Sequence, residues 1–321
     1  MIRQVSASYP ENPRERDRWI LAHRPERNLA SAHRPYAVVA EDEVTDTGEV
    51  VPVATIFLTN RECPWRCLMC DLWRNTLAET VPAGAIAEQI DFALGQLPRT
   101  RHVKLYNSGS FFDHRAVPPN EYPEIAARLH QFDRVIVESH PSLVGDDVLR
   151  FRDLIPGVLE VAMGLETVHP EVLERLNKRM TLELFAAAAE RLRRNDIALR
   201  AFILVKPPFL TEDEALTWAN RSVDFAFDHG ATVASLIPVR GGNGALEALA
   251  ALGTFAPPML STLEAAVEYG ISLTRGRVFS DLWDLERFAA CAECFPARAA
   301  RLREMNLRQV VLPPIPCESC G

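Results

Sequence analysis

The sequence predicts an α/β protein organised as a partial (β/α)6 barrel, with an irregular N-terminal arm and a small C-terminal metal-binding extension. Three observations carry that prediction. Short apolar runs of strand length recur six times between residues 54 and 239, stretches of helical periodicity separate them, and the cysteines stand at the front of this alternation and beyond its end. Alternating strands and helices imply parallel strands joined by right-handed crossovers, and in such barrels function gathers at the strand C-termini.

The elements follow in order. Residues 1–50 are polar, rich in Arg and Pro and without sustained periodicity, so an irregular arm is expected there. The barrel is expected over 51–260. Its strands read as ATIFLT (54–59), HVKLY (102–106), RVIVE (134–138), LEVAMGL (159–165), LRAFILV (199–205) and TVASLIPV (232–239), runs apolar enough to be buried on both faces. Helices are expected over 83–97, 121–132, 145–155, 181–195 and 211–230. Thr181 suits an N-cap, and Thr211 with Glu214 three residues on suits a capping box. GALEALAALG (244–253) reads as a short surface helix. STLEAAVEYGISLTRG (261–276) reads as a helix closing the barrel, at the start of an extension over 261–321.

The composition narrows the function. With 321 residues, 48% hydrophobic and 24% charged, the chain is globular rather than disordered or fibrous. Its 35 Lys and Arg against 43 Asp and Glu give a net charge of −8, which argues against a broad phosphate-neutralising grip on nucleic acid. No run approaches the roughly 18 apolar residues of a membrane helix, and the opening stretch has no apolar core for export, so no membrane partner and a cytoplasmic location are expected.

Seven cysteines, an odd number, point to metal or catalytic roles rather than a disulfide framework. Cys63, Cys67 and Cys70 form a Cys-x3-Cys-x2-Cys loop directly after the first barrel strand. Three thiolates are one short of a closed shell. A cubane held by three cysteines leaves one iron open to chelate a small molecule through an amine and a carboxylate; the alternative is a zinc site completed by His102 or Asp71.

In this spacing and position the loop resembles the fingerprint of the radical SAM superfamily. The resemblance implies a 4Fe-4S cluster on Cys63, Cys67 and Cys70, S-adenosylmethionine on its unique iron, and reductive cleavage to a 5′-deoxyadenosyl radical, with a reductant such as flavodoxin or ferredoxin. Met69 stands where family members often carry an aromatic residue near the adenine. Asn107, Ser108 and Gly109, at the second strand's end, replace the family's Gly-Gly-Glu segment that receives the amino group. Glu138 and Glu166 end the third and fourth strands, where carboxylates accept from ribose hydroxyls or the ammonium or, as the alternative, serve as salt-bridge partners inside the barrel mouth. Lys178, in Leu176-Asn-Lys-Arg179, resembles the segment offering a cation to the carboxylate, against its alternative as part of a solvated helix end. The strings YNSGSFFD, VESHPS, GLET, LNKRMT and LVKPPFLTEDEA look most like the Elongator-catalytic-subunit, MiaB and NifB type of core, and more narrowly like the archaeosine-forming RaSEA-like lyases.

Cys291-x2-Cys294 and Cys317-x2-Cys320 are two knuckles separated by 22 residues, a spacing that suits a structural zinc and, as the alternative, an auxiliary iron–sulfur cluster. With both sites formed no thiol remains to return a hydrogen atom. Tyr106 is then the one tyrosine to consider, against its reading as a packed barrel residue. Lys206 after the fifth strand, and Arg240 before a glycine-rich turn after the sixth, suit an anionic or nucleotide-like substrate. The expected function is a radical enzyme acting on a nucleotide-like or sugar-containing small molecule or natural-product intermediate. A RaSEA-like lyase cleaving a lysine-modified deazaguanine in tRNA is the second reading, less favoured by the acidic charge. A non-catalytic zinc-bound adaptor is a third, from another class.

Overall fold

The computed structural model describes residues 8–319. One eight-stranded sheet runs in sequential order, curled into a half-barrel. β1 (Ala37–Val44) and β2 (Val50–Phe57) form an antiparallel hairpin. From β2 onward, β3 (His102–Tyr106), β4 (Arg134–Ser139), β5 (Val158–Glu166), β6 (Ala198–Val205), β7 (Val233–Pro238) and β8 (Arg277–Ser280) are all parallel. The six expected runs are β2 to β7.

Helices α2 (Ala85–Leu94), α3 (Tyr122–Ala127), α4 (Asp146–Leu154), α6 (Leu182–Arg194), α7 (Glu212–Asp228) and α9 (Leu260–Ser272) cover the outer face, and the short α5 (Pro170–Arg175) lies between β5 and α6. Outward-facing Val103, Leu105, Val135, Val137, Leu159 and Val161 pack beneath them. Thr181 accepts from the Leu184 N–H and caps α6, and Thr211 with Glu214 closes the capping box of α7. α3 is shorter than the expected 121–132, ending at Ala127.

Two strands were not expected. The arm over residues 1–50 is not irregular throughout: it contains β1 and a helix, α1 (Pro13–His23), whose N-cap Asn12 accepts from the Arg14 N–H. β1 carries Glu41, Asp42 and Glu43, which read as solvated polar residues. Yet Glu43 turns into the barrel and accepts from Arg200 of β6 at 3.0 Å and from Lys104 of β3. Glu160 of β5 accepts from Arg200 at 2.6 Å and from Arg134 of β4 at 2.9 Å. Contacts between non-adjacent strands have to cross the interior, so these charges form the floor of the barrel. At the same end the Arg277 guanidinium of β8 donates to the Val44 carbonyl at 3.0 Å, and Val44 packs with Val233 and Phe279. The sheet is thereby drawn together at the floor.

α10 (Phe295–Arg308) packs on both β1 and β8 and covers the remaining side. Its side-chain amides stand in for a ninth strand. Gln309 accepts from the Val278 N–H at 2.7 Å and donates to its carbonyl at 2.9 Å; Asn306 does the same for Ser280 at 2.8 and 2.9 Å. An edge strand so paired cannot recruit another chain.

A second hydrophobic cluster lies at the opposite end. Trp19 and Ile20 of α1 pack there with Leu246 and Leu249 of α8 (Ala245–Ala251), with Leu176, and with Leu68 of the cysteine loop. α8 is the short surface helix expected, with Ala245, Leu246 and Leu249 buried in this cluster and Glu247, Ala250 and Ala251 exposed. No helix among the described residues is long and apolar enough to cross a membrane.

Candidate active site

Cys63, Cys67 and Cys70 sit on the loop leaving β2 at the C-terminal end of the sheet, the end where parallel α/β sheets place their ligands. Neighbours from several distant parts of the chain hold that loop. Leu68 is fully buried in the second cluster, and its N–H donates to the Leu176 carbonyl at 2.9 Å. The Asn177 amide donates to the Arg66 carbonyl and to Asp17 of α1, both at 2.7 Å. Glu62 meets Arg24 at 2.7 Å, Arg66 at 3.1 Å and Arg27. Burial opposes its charge, but Arg24 and Arg66 outweigh it and hold the carboxyl below its ordinary range. Trp65 stacks on His140, which follows β4, with centroids 3.9 Å apart. His140 donates from Nε2 to the Lys178 carbonyl at 3.0 Å and accepts at Nδ1 from the Ser142 N–H at 3.2 Å. That tautomer is neutral. Burial, and then the Lys178 charge, push its pKa down to about 3.

The loop after β3 lies against the cysteines. A Cβ placed on Gly109 would stand 3.1 Å from the Cys63 Cβ, so a side chain here would push the two loops apart by a few tenths of an ångström. The N–H groups of Asn107, Ser108 and Gly109 converge on the Glu138 carboxylate, the first at 2.8 Å. Burial raises the Glu138 pKa to about 7 against the pull of those donors. Ser108, at φ 55°, donates to the Tyr36 hydroxyl at 3.1 Å. Asn107 is fully buried, and neither atom of its side-chain amide meets a partner among the described residues. Orphaned buried amides of this kind are costly unless a ligand completes them.

At the end of β5 the ladder slips between Gly164 and Glu166, and Glu166 adopts φ 64°. Such a bulge re-aims a side chain. Here it turns the Glu166 carboxylate to the Lys178 ammonium, both residues buried. A Cβ on Gly164 would collide with both groups. Burial works against the Lys178 charge, but Glu166 more than compensates and holds its pKa above the ordinary value. Asn177 and Arg179, on either side, have φ near 60°. Backbone strain concentrated in this way is a mark of functional segments.

Of the residues expected at the site, Cys63, Cys67, Cys70, Asn107, Ser108, Gly109, Glu138, Glu166 and Lys178 gather at this one end. Met69 stands half-buried beside the second hydrophobic cluster. The two substrate cations are differently occupied. Lys206 is buried, paired with Glu212 at 2.7 Å and donating to the Pro257 carbonyl at 3.2 Å, which makes it a brace between β6 and the segment before α9. Arg240 pairs with Asp281 and donates to the Trp283 carbonyl at 2.9 Å, tying the loop after β7 to the one after β8. Sequence reasoning missed Trp65, His140, Tyr36 and Asn177 as structural partners of the site.

Inside the barrel, between this end and the charged floor, aromatic rings meet across the lumen. Tyr106 of β3 contacts Phe57 of β2 and Phe202 of β6 at 6.0 Å, and Phe57 contacts Trp283, after β8, at 6.3 Å. The contacts between distant strands place these rings in the interior, yet Phe57, Tyr106 and Phe202 stay partly exposed and Trp283 is half-exposed. The lumen is therefore open above its floor.

Cys291, Cys294 and Cys317 form a separate group at the N-terminus of α10, with sulfurs all within 4.8 Å of one another. Cys320 lies outside the described residues. N–H groups of Cys294 and Glu293 lower the Cys291 thiol pKa to about 7.

A sequence model of the radical SAM superfamily matches residues 57–220. An uncharacterized protein of Methanocaldococcus jannaschii is 27% identical over 276 residues, covering 81% of this chain and 76% of that one. The archaeosine synthase subunit beta of Methanosarcina acetivorans is 28% identical over 219 residues, covering 64% of this chain; the match spans 63% of that relative, a little under two thirds of its length. Among solved structures, Elp3 of Methanocaldococcus infernus, truncated at its N-terminus, superposes with a TM-score of 0.52 over 68% of this chain and 59% of that one. At 12% identity this likeness is one of fold.

Proposed function

Because the chain belongs to the radical SAM superfamily and is an enzyme of that kind, we propose that Cys63, Cys67 and Cys70 hold its 4Fe-4S cluster and that its substrate is a nucleotide-like small molecule. The adaptor reading is set aside by the family itself. The fit of the residues to the cofactor rests on three thiols on one loop at the open end of the barrel, with Gly109 of the neighbouring loop seated on Cys63 and the unpartnered Asn107 amide on that same neighbouring loop. The cluster and S-adenosylmethionine supply one-electron reductive cleavage and a radical able to abstract hydrogen. A small reductant such as flavodoxin or ferredoxin suits the electron. Asn107, Ser108 and Gly109 receive the amino group of S-adenosylmethionine, with Glu138 locking their backbone. Glu166 and Lys178 take its polar substituents, and Met69 flanks the adenine.

The observation that carries the substrate class is the aromatic lumen. Phe57, Tyr106, Phe202 and Trp283 offer edges and faces to a planar heterocycle, and the charged floor closes the lumen below. The archaeosine synthase relative favours a second reading, a RaSEA-like lyase acting on a modified deazaguanine in tRNA. The test incubates reduced holoenzyme and S-adenosylmethionine with deuterated candidate nucleosides and, separately, deuterated tRNA. Deuterium in 5′-deoxyadenosine from a free nucleoside is the expected result; transfer from tRNA alone would overturn the small-molecule reading in favour of the second.

For the C-terminal cysteines the proposal is a structural zinc. A tetrahedral ion with bonds of about 2.3 Å sets its sulfurs about 3.8 Å apart, and Cys291 and Cys317 are 3.8 Å apart. A cubane interposes four irons and spreads its thiolates further. Anaerobically reconstituted protein is expected to contain about four irons and one zinc per chain; about eight irons and no zinc would replace the zinc with a second cubane.

A further inference from the structure

We infer that Asn243, on the loop between β7 and α8, is a positioning residue for the cysteine loop, holding the backbone of Leu68 and Cys70 from the far side of the barrel mouth. The inference rests on the reading that Cys63, Cys67 and Cys70 hold an iron–sulfur cluster. Asn243 is 2% exposed. Its amide nitrogen donates to the Leu68 carbonyl at 2.7 Å and to the Cys70 carbonyl at 3.3 Å, and its amide oxygen accepts from the Leu246 N–H at 2.8 Å. Both donors are thus used, and the partners fix the orientation of the amide, since only carbonyls lie on one side and an N–H on the other.

The loop that presents this amide is rigid despite its glycines. Gly244 has φ 82°, and a Cβ there would collide with the His23 carbonyl at the end of α1. The Glu247 carboxylate accepts from the N–H groups of Gly242 at 2.6 Å and Gly244 at 2.7 Å. Arg74, just beyond the cysteine loop, reaches back to the Gly242 carbonyl at 3.0 Å. The two loops are therefore clamped in both directions. A cluster whose three thiolates come from one loop depends on that backbone staying in place. Leu68 is anchored on its N–H side by Leu176, and Asn243 supplies the anchor on its carbonyl side.

Asn243→Asp separates the two jobs of the side chain. One carboxylate oxygen still accepts from Leu246, and a negative charge is favourable at the start of α8, so the fold is retained. The other oxygen now faces two carbonyls it cannot satisfy. In anaerobically reconstituted holoprotein, the variant is expected to remain folded but to melt below the wild-type temperature, because its buried carboxylate faces two carbonyls with no donor between them. It should release iron to a chelator about tenfold faster, the low end of what outer-shell substitutions cost a metal site. The change that S-adenosylmethionine makes in the electron paramagnetic resonance signal of the reduced cluster should also be altered. Glu247→Ala, at an exposed position, should speed iron release in the same direction by loosening the loop. Wild-type iron release and an unaltered signal in Asn243→Asp would overturn the role of Asn243. If that variant does not fold, wild-type release in Glu247→Ala overturns it instead. A wild-type protein that takes up no cluster would overturn the reading of the three cysteines, a separate failure.

Discussion

Cys67→Ala is expected to reduce 5′-deoxyadenosine formation from S-adenosylmethionine to the background of enzyme-free controls. The loop has no slack with which to find a substitute ligand, because Leu68, the next residue, is fully buried and hydrogen-bonded to Leu176. Cys291, Cys294 and Cys317 are gathered in a separate group at the N-terminus of α10. Two thiolates would then remain for a site that requires three. Burial pushes the three thiols up to about 12, so in the absence of metal they stay protonated, and cluster binding has to expel those protons. Losing one ligand removes part of the attraction that drives this expulsion. Cys291→Ala is the control: it should cost metal content and stability at α10 while S-adenosylmethionine cleavage continues. Product is measured chromatographically after anaerobic reconstitution, and normal yield from Cys63→Ala, Cys67→Ala or Cys70→Ala would remove the cluster from that loop.

What the sequence made legible follows physical lines. β2 to β7 are covered on both faces, so each reads as a short continuous apolar run, and the position of each loop at a strand end followed from them. The cysteine spacing and the placement of Asn107, Glu138 and Glu166 needed no partner to be recognised. β1 and β8 stayed hidden because each carries a charged residue, Glu43 or Arg277, turned inward where an apolar one is expected. Glu43 and Arg277 become strand residues only through Arg200, Lys104 and Val44, contacts that no local pattern encodes. Lys206 shows the converse: a cation at a strand end looks free until Glu212 is seen beside it. Asn243 was visible as a polar residue among glycines, but its partner Leu68 lies 175 residues away in the chain. The signal available for the floor was charge at alternating positions in apolar strands, as in HVKLY and LRAFILV.

Glu160→Gln tests that floor, and it is expected to give the largest loss of stability of any conservative change in the barrel. Glu160 is fully buried and accepts from Arg200 at 2.6 Å and Arg134 at 2.9 Å, with Arg277 at 3.9 Å. Burial opposes its charge, but Arg200 first and then Arg134 outweigh the cost, holding its pKa below the ordinary carboxylate range. A depressed pKa means that the carboxylate contributes stability above its unfolded pKa and loses that contribution as pH falls through the folded value. Glutamine keeps the volume but presents no charge, and its amide group turns hydrogens toward guanidinium groups that need an acceptor. Removing one partner of a buried ion pair typically costs about 3–5 kcal/mol, a large share of the roughly 5–15 kcal/mol that holds a domain folded. The urea midpoint at pH 7 should therefore fall sharply. The variant should also lose part of the wild type's acid sensitivity, because the group whose protonation weakens the fold is gone. An unfolding free energy at pH 7 within about 1 kcal/mol of wild type would mean that water reaches the floor and solvates the three arginines, leaving the barrel open at both ends.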